Sequence, residues 1–161
     1  MQLASSTSGA TTYTTSTALT TGLAYQFIVY AANNFGVGPA SSPLTVYAAI
    51  SPSGISAPTT TLDGTSSYVT VSWTLADNGG ITPTYAIQIL NSATVWQTVT
   101  ESTDCSESAS DIVALSQCTM SVSTLQSTYG LSTGSVVVAK VTATTAVGSV
   151  TSAYAGTAVM P

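Results

Sequence analysis

The sequence predicts an all-β protein, and three observations predict it. Apolar and polar residues alternate with period two over short segments, β-branched residues are abundant, and no stretch carries a convincing 3.6-residue apolar period. Turn-forming clusters cut the alternating stretches into strand-sized lengths. Several short strands divided in this way suit a β-sandwich.

In chain order, the first alternating segment places Tyr25, Phe27, Val29 and Ala31 on one face and Gln26, Ile28, Tyr30 and Ala32 on the other. Asn33-Asn34-Phe35-Gly36 and Gly36-Val37-Gly38 supply turns. Ser51-Pro52-Ser53-Gly54 opens a segment, residues 51–57, whose composition reads as a linker. Beyond it Val69, Val71 and Trp73 alternate with Thr70, Ser72 and Thr74. A turn follows at Asp77-Asn78-Gly79-Gly80, and Tyr85, Ile87 and Ile89 form the next inward row. Val137, Ala139, Val141 and Ala143 form the last row.

The two ends of the chain resemble each other. Leu19-Thr20-Thr21-Gly22 reads like Leu131-Ser132-Thr133-Gly134, and each glycine is followed by a strand and then a turn, at Asn33-Gly36 in one copy and Thr145-Gly148 in the other. One offset of roughly 112 residues registers both pairs, as expected of a tandem array. The first copy lacks a counterpart of residues 58–112. The expected organisation is therefore a partial module at 1–50, a linker at 51–57 and a complete module at 58–161.

These segments resemble a fibronectin type III module. Val69-Thr70-Val71-Ser72-Trp73 is similar to the family's strand B with its core tryptophan, Asp77-Asn78-Gly79-Gly80 to the following loop, and Tyr85-Ala86-Ile87 to strand C. Leu19, Tyr25, Phe27, Val29, Ala31, Asn33, Gly36 and Gly38 are similar to strand F and the F–G turn. The matches touch about half of the chain. The resemblance implies a sandwich, complete once and preceded by the C-terminal half of another, with Trp73, Tyr85, Tyr25 and Phe27 in the core. The second copy departs from the pattern, because Val137 stands where the strand F tyrosine is expected. Residues 101–118 are also long for the family and read as an elaborated loop.

Composition excludes several functions. The 161 residues include one Lys or Arg, no His and six acids, for a net charge of −5, and only 4% are charged against about 25% in ordinary domains. Lys140 alone makes no electrostatic footprint for nucleic acid. Without His there is no imidazole base or ligand, and a Ser–Lys dyad would need Lys140, which occupies an outward mid-strand position. No enzyme activity is expected. At 44% hydrophobic residues the chain has enough to bury, yet no apolar run approaches the ~18–20 residues of a membrane span. The start of the sequence carries no secretion-signal pattern.

Glu101, Asp104, Glu107 and Asp111 form the one acidic cluster, which reads as a solvated loop with Ca²⁺ binding as the alternative. No other cofactor is expected. Cys105 and Cys118 bracket this loop, and two cysteines in a chain of extracellular character favour a disulfide over free thiols. Trp96, with Tyr30, Tyr47 and Tyr154, suits an outer face that packs on neighbouring modules or stacks on sugars; Ile28 shares that expected surface. No Asn-x-Ser/Thr sequon occurs, whereas Thr/Ser runs such as 11–17 and 59–61 suit either O-glycosylation or plain strand formation.

Strands with so few charges lack the usual protection of sheet edges. A free monomer of this kind should self-associate unless glycan or protein covers it. The expected function is a structural repeat of an extracellular or cell-surface filament whose partners are copies of itself or adjacent modules. The alternatives are an adhesive or carbohydrate-binding module and, third, a noncatalytic spacer in a secreted glycosidase.

Overall fold

The computed structural model describes residues 12–100, 105 and 108–161, and they form a β-rich chain with two short helices. Contacts divide the chain between Ala48 and Ala49 into two compact units.

The first unit holds β1 (Ala24–Phe27), β2 (Tyr30–Asn33), β3 (Gly36–Ala40) and β4 (Leu44–Tyr47). Instead of one strand over 25–32, the alternating segment changes partner midway, β1 pairing with β4 and β2 with β3, all antiparallel. The break falls at Val29, where Ser41 takes over the ladder: its Oγ accepts from the Val29 amide at 3.0 Å and its own amide donates to the Val29 carbonyl at 2.9 Å. Pro39 and Pro43 flank that serine and offer no N–H, so a regular ladder cannot continue through it. No described residue of this unit is buried; Tyr25 and Phe27 are half-buried, and Val29 is 70% exposed.

The second unit begins with β5 (Ser53–Ile55), which pairs with β8 (Leu75–Asp77). The segment expected as a linker thus contributes an edge strand, because its extended Ser-Gly-Ile stretch finds a partner beyond the next two strands. Those are β6 (Thr59–Leu62) and β7 (Tyr68–Ser72), which form a three-stranded antiparallel sheet with β11 (Gln117–Ser121), in the order β11-β7-β6. A four-stranded sheet runs β10-β9-β12-β13, from β9 (Thr84–Leu90), β10 (Trp96–Thr98), β12 (Ala139–Thr145) and β13 (Gly148–Thr151). One core draws on both sheets: Val69, Val71, Cys118 and Met120 from the first, and Ile87, Ile89, Ala139 and Val141 from the second. Full burial of each Val or Ile is worth about 1.5–3 kcal/mol, so this row holds the unit together. Trp73 is buried against Tyr85, ring centroids 5.1 Å apart, edge to face.

The β-period reading omits α1 (Ala109–Leu115) and α2 (Val122–Ser127), which lie on either side of β11. Ser108 and Ser121 cap them by accepting from the amides of Asp111 and Thr124. Each helix is too short to show an apolar period; among the side chains described, α1 buries Ile112 and α2 buries Leu125.

Turn chemistry fixes the hairpins. Gly79 has φ +70°, and any Cβ there would collide with the Ile50 carbonyl, whose own amide donates to Gly79 O at 3.0 Å. In the β6–β7 turn, the Asp63 carboxylate accepts from the amides of Ser67 (2.8 Å) and Tyr68 (2.9 Å) and from the Thr65 hydroxyl. These donors, the Thr65 hydroxyl foremost, lower its pKa from the ordinary 3.8 to about 2. A carboxyl with a lowered folded pKa contributes stability that is complete above the unfolded value and is lost as pH falls through the folded one. Asp63→Asn should therefore flatten the fall in urea midpoint between pH 3.8 and about 2. Parallel acid profiles for wild type and variant would show that the turn contributes nothing in that window.

The two units share local geometry at the offset of roughly 112 residues. Gly22 and Gly134 have φ of 85° and 84°, and their amides donate to Ala48 and Met160 carbonyls at 2.8 and 2.9 Å. Ser152 serves Val141 as Ser41 serves Val29, accepting from its amide at 3.0 Å and donating to its carbonyl at 2.8 Å. The pairs differ in burial. Val137, Ala139, Val141 and Ala143 are all fully buried, whereas their counterparts Tyr25, Phe27, Val29 and Ala31 are half-buried or exposed.

Candidate functional site

The antiparallel register of the four-stranded sheet brings separate parts of the sequence onto its outer face. Lys140 on β12 lies opposite Gln88 on β9, which lies opposite Thr98 on β10, and the Gln88 amide donates to the Thr98 hydroxyl at 3.2 Å. Two residues before Thr98, Trp96 points to the same face by the strand's period of two. Lys140 Nζ sits 4.4 Å from the centroid of the Trp96 ring, and Tyr154 stands 5.9 Å from it at a 52° tilt. A cation over an aromatic ring at a protein surface is worth about 0.5–1 kcal/mol, enough to hold the lysine stem across the half-buried indole. The cluster combines two aromatic rings, one cation and an amide, which suits contact with a polar, weakly acidic or sugar-bearing partner. Tyr154 remains 69% exposed and presents an accessible ring, while Lys140 occupies one side of Trp96.

Of the aromatic residues expected to share an outer surface with Trp96, Tyr154 meets it. Tyr30, Tyr47 and Ile28 belong to the first unit, where they are 58%, 62% and 45% exposed. In that unit a groove of about 370 Å³ is lined by Leu19, Tyr25, Phe27 and neighbouring threonines. The Tyr25 hydroxyl accepts from the Thr20 amide at 2.9 Å. At the matching place in the second unit, where Val137 has no hydroxyl, the Ser132 amide donates instead to Ser135 Oγ at 3.2 Å.

The acidic cluster falls largely outside the described residues: Glu101, Asp104 and Glu107 lie there. Asp111 belongs to the α1 cap, accepting from Ser108 Oγ at 2.7 Å. Among the described residues no three His, Cys, Asp or Glu side chains gather as a metal site would require. Cys105 and Cys118 form a disulfide with their Cα atoms 5.3 Å apart, both buried in the core. The bridge suggests an oxidising environment of the extracellular kind. No helix among the described residues is long and apolar enough to cross a membrane. A second, smaller cleft of about 140 Å³ lies beside Trp73 and is lined by Ser56, Thr59 and Thr74 among others; it presents hydroxyls and no titratable group.

Neither a protein-family model nor a curated protein matches the chain.

Proposed function

We propose that this chain is a structural repeat of an extracellular or cell-surface filament built from tandem fibronectin type III-like sandwich modules. The observation that carries this reading is the first unit's surface: none of its described residues is buried, and Val29, Phe35, Val37, Leu44 and Tyr47 are 62–99% exposed. Apolar strands so uncovered need a permanent partner in water. Support for the module type comes from the second unit's three- and four-stranded sheets and from the buried Trp73 packed on the half-buried Tyr85. Support for tandem arrangement comes from the glycine and serine hydrogen bonds repeated in both units. Exposed Thr12, Thr14, Ser16 and Thr17, with Thr59 and Thr61 on either side of the buried Thr60, offer O-glycan acceptors that would cover the remaining faces. Electron microscopy of the purified native material should show regular filaments, and intact mass should exceed the sequence mass by whole hexoses. Dispersed single particles at high concentration would count against the filament reading.

The Trp96–Tyr154–Lys140 cluster favours a second reading, an adhesive or carbohydrate-binding module. On that reading Trp96→Ala abolishes binding on a glycan array, because an aromatic ring is the main apolar contact a sugar can make. Lys140→Ala, which frees the covered side of the indole, should leave binding intact or improve it. Absence of any Trp96-dependent signal returns the cluster to a packing role.

A further inference from the structure

We propose that the row Tyr25, Phe27, Val29 and Ala31 is a docking face for the leading half of another module, a segment patterned like residues 49–130 but slimmer where it meets positions 25 and 27. This rests on the tandem-repeat part of the proposed function. Its basis is a comparison within the chain. The same backbone arrangement occurs twice, with matching glycine φ angles and matching Val–Ser ladders. In the second copy, Val137, Ala139, Val141 and Ala143 are fully buried, three of them in one core with Val69, Val71, Ile87, Ile89 and Met120 from the preceding strands. Leu131 is 5% exposed there, while its counterpart Leu19 is 40% exposed at the rim of the first unit's groove. What covers the face in one copy is therefore visible in the other.

Side-chain volume says which segment fits. Tyr25 and Phe27 stand where the second unit has Val137 and Ala139, and Thr17 stands where it has the buried Tyr129. The aromatic bulk has moved from one wall to another. Residues 49–130 of a second copy, shaped around Val137 and Ala139, would overfill this face, and packed cores do not absorb two extra rings. The occupant is accordingly a sibling segment with smaller inward residues. A hydroxyl residue on its second strand is expected as well, placed like Thr60 on β6, whose Oγ1 donates to the Val137 carbonyl and accepts from the Thr157 and Ala158 amides.

The test is a chimera in which residues 49–130 replace residues 1–18, joined directly to Leu19, in two versions. One keeps Tyr25 and Phe27; the other carries Tyr25→Val and Phe27→Ala, restoring the volumes of the second unit. Amide exchange is read at 25–31, with 137–143 as the internal reference. In the unextended chain, 25–31 should exchange at least about a hundredfold faster than 137–143. The slimmed chimera should bring 25–31 to within about tenfold of the reference, and the version with both aromatic rings should gain less. The proposal is overturned if 25–31 stays unprotected in the slimmed chimera while 137–143 stays protected. It is equally overturned if rising concentration alone protects 25–31 in the unextended chain, since a second copy would then be the occupant. Should neither chimera fold, that concentration series decides: unchanged exchange at 25–31 supports the proposal. Filament images test the filament reading separately, so the two can fail independently.

Discussion

Thr60→Val is expected to destabilise the second unit by about 2–3 kcal/mol, although valine matches threonine in shape. The Thr60 side chain is 1% exposed and stands on β6, the edge of the three-stranded sheet. Its hydroxyl donates to the Val137 carbonyl at 3.1 Å, just before β12 of the other sheet, and accepts from the amides of Thr157 and Ala158 at 2.8 and 2.9 Å. The Thr157 hydroxyl returns the contact by donating to the Thr60 carbonyl at 2.9 Å. One oxygen therefore ties both sheets and the final residues at a single edge. Valine would leave the Ala158 amide without a partner in a site that is 5% exposed, and an orphaned buried donor costs about 1–3 kcal/mol. The part-buried Thr157 amide adds a smaller loss, because water can reach it. Thr60→Ser keeps the oxygen and removes one methyl, so it should cost about 1 kcal/mol. Urea unfolding of the three proteins decides: equal losses for Val and Ser would show that packing, not the hydroxyl, matters at this position.

Thr60 also shows where the sequence falls silent. It sits in Thr59-Thr60-Thr61, three identical residues whose neighbours say nothing about which one will be buried, and its partners lie 77 to 98 residues away in sequence. Strands whose period is set by burial on one face were legible, because Val69, Val71, Ile87 and Ile89 are apolar for the reason the period reports. The turn at residues 77–80 was legible because Asp77 and Asn78 each accept from a backbone amide two residues on. The break at Val29 was not, since it depends on Ser41 from a different strand. Helix α1 had a readable sign in Ser108 followed three residues later by Asp111 and then by Ile112, a helix start that strand-period reasoning passes over.

The outer-face cluster was half legible. The sequence offers Trp96 for an outer face together with three tyrosines, but only the folded chain selects Tyr154 from them as its neighbour. Lys140 reads outward for the same reason, yet its seat over the indole follows from the pairing of β9 with both β10 and β12. Pattern gives the face; long-range pairing gives the company.

Removing the disulfide should have an effect at least as large as losing the Thr60 hydroxyl. Cys105→Ala combined with Cys118→Ala is expected to cost about 3 kcal/mol, the chain-entropy value for a loop of this length. The bridge joins residues 13 apart in sequence, with Cys118 on β11 opposite Val71 and fully buried. Helix α1 lies inside the closed loop. At seven residues it cannot hold its shape alone, and it depends on Ile112, 2% exposed, reaching the core. The first amides to lose exchange protection in the double variant should therefore be Ile112 and Ser116, which donate to the Ser108 and Ile112 carbonyls, ahead of the β7 and β9 amides. Because both sulfurs are buried, a mild reductant should act on the folded protein far more slowly than on the urea-unfolded chain. A domain of this size has about 5–15 kcal/mol in all, so a loss of this order would remove much of its margin and tie folding to an oxidising compartment. An unchanged urea midpoint, with Ile112 still protected, would instead make the bridge dispensable and remove the structural reason for placing the chain outside the cell.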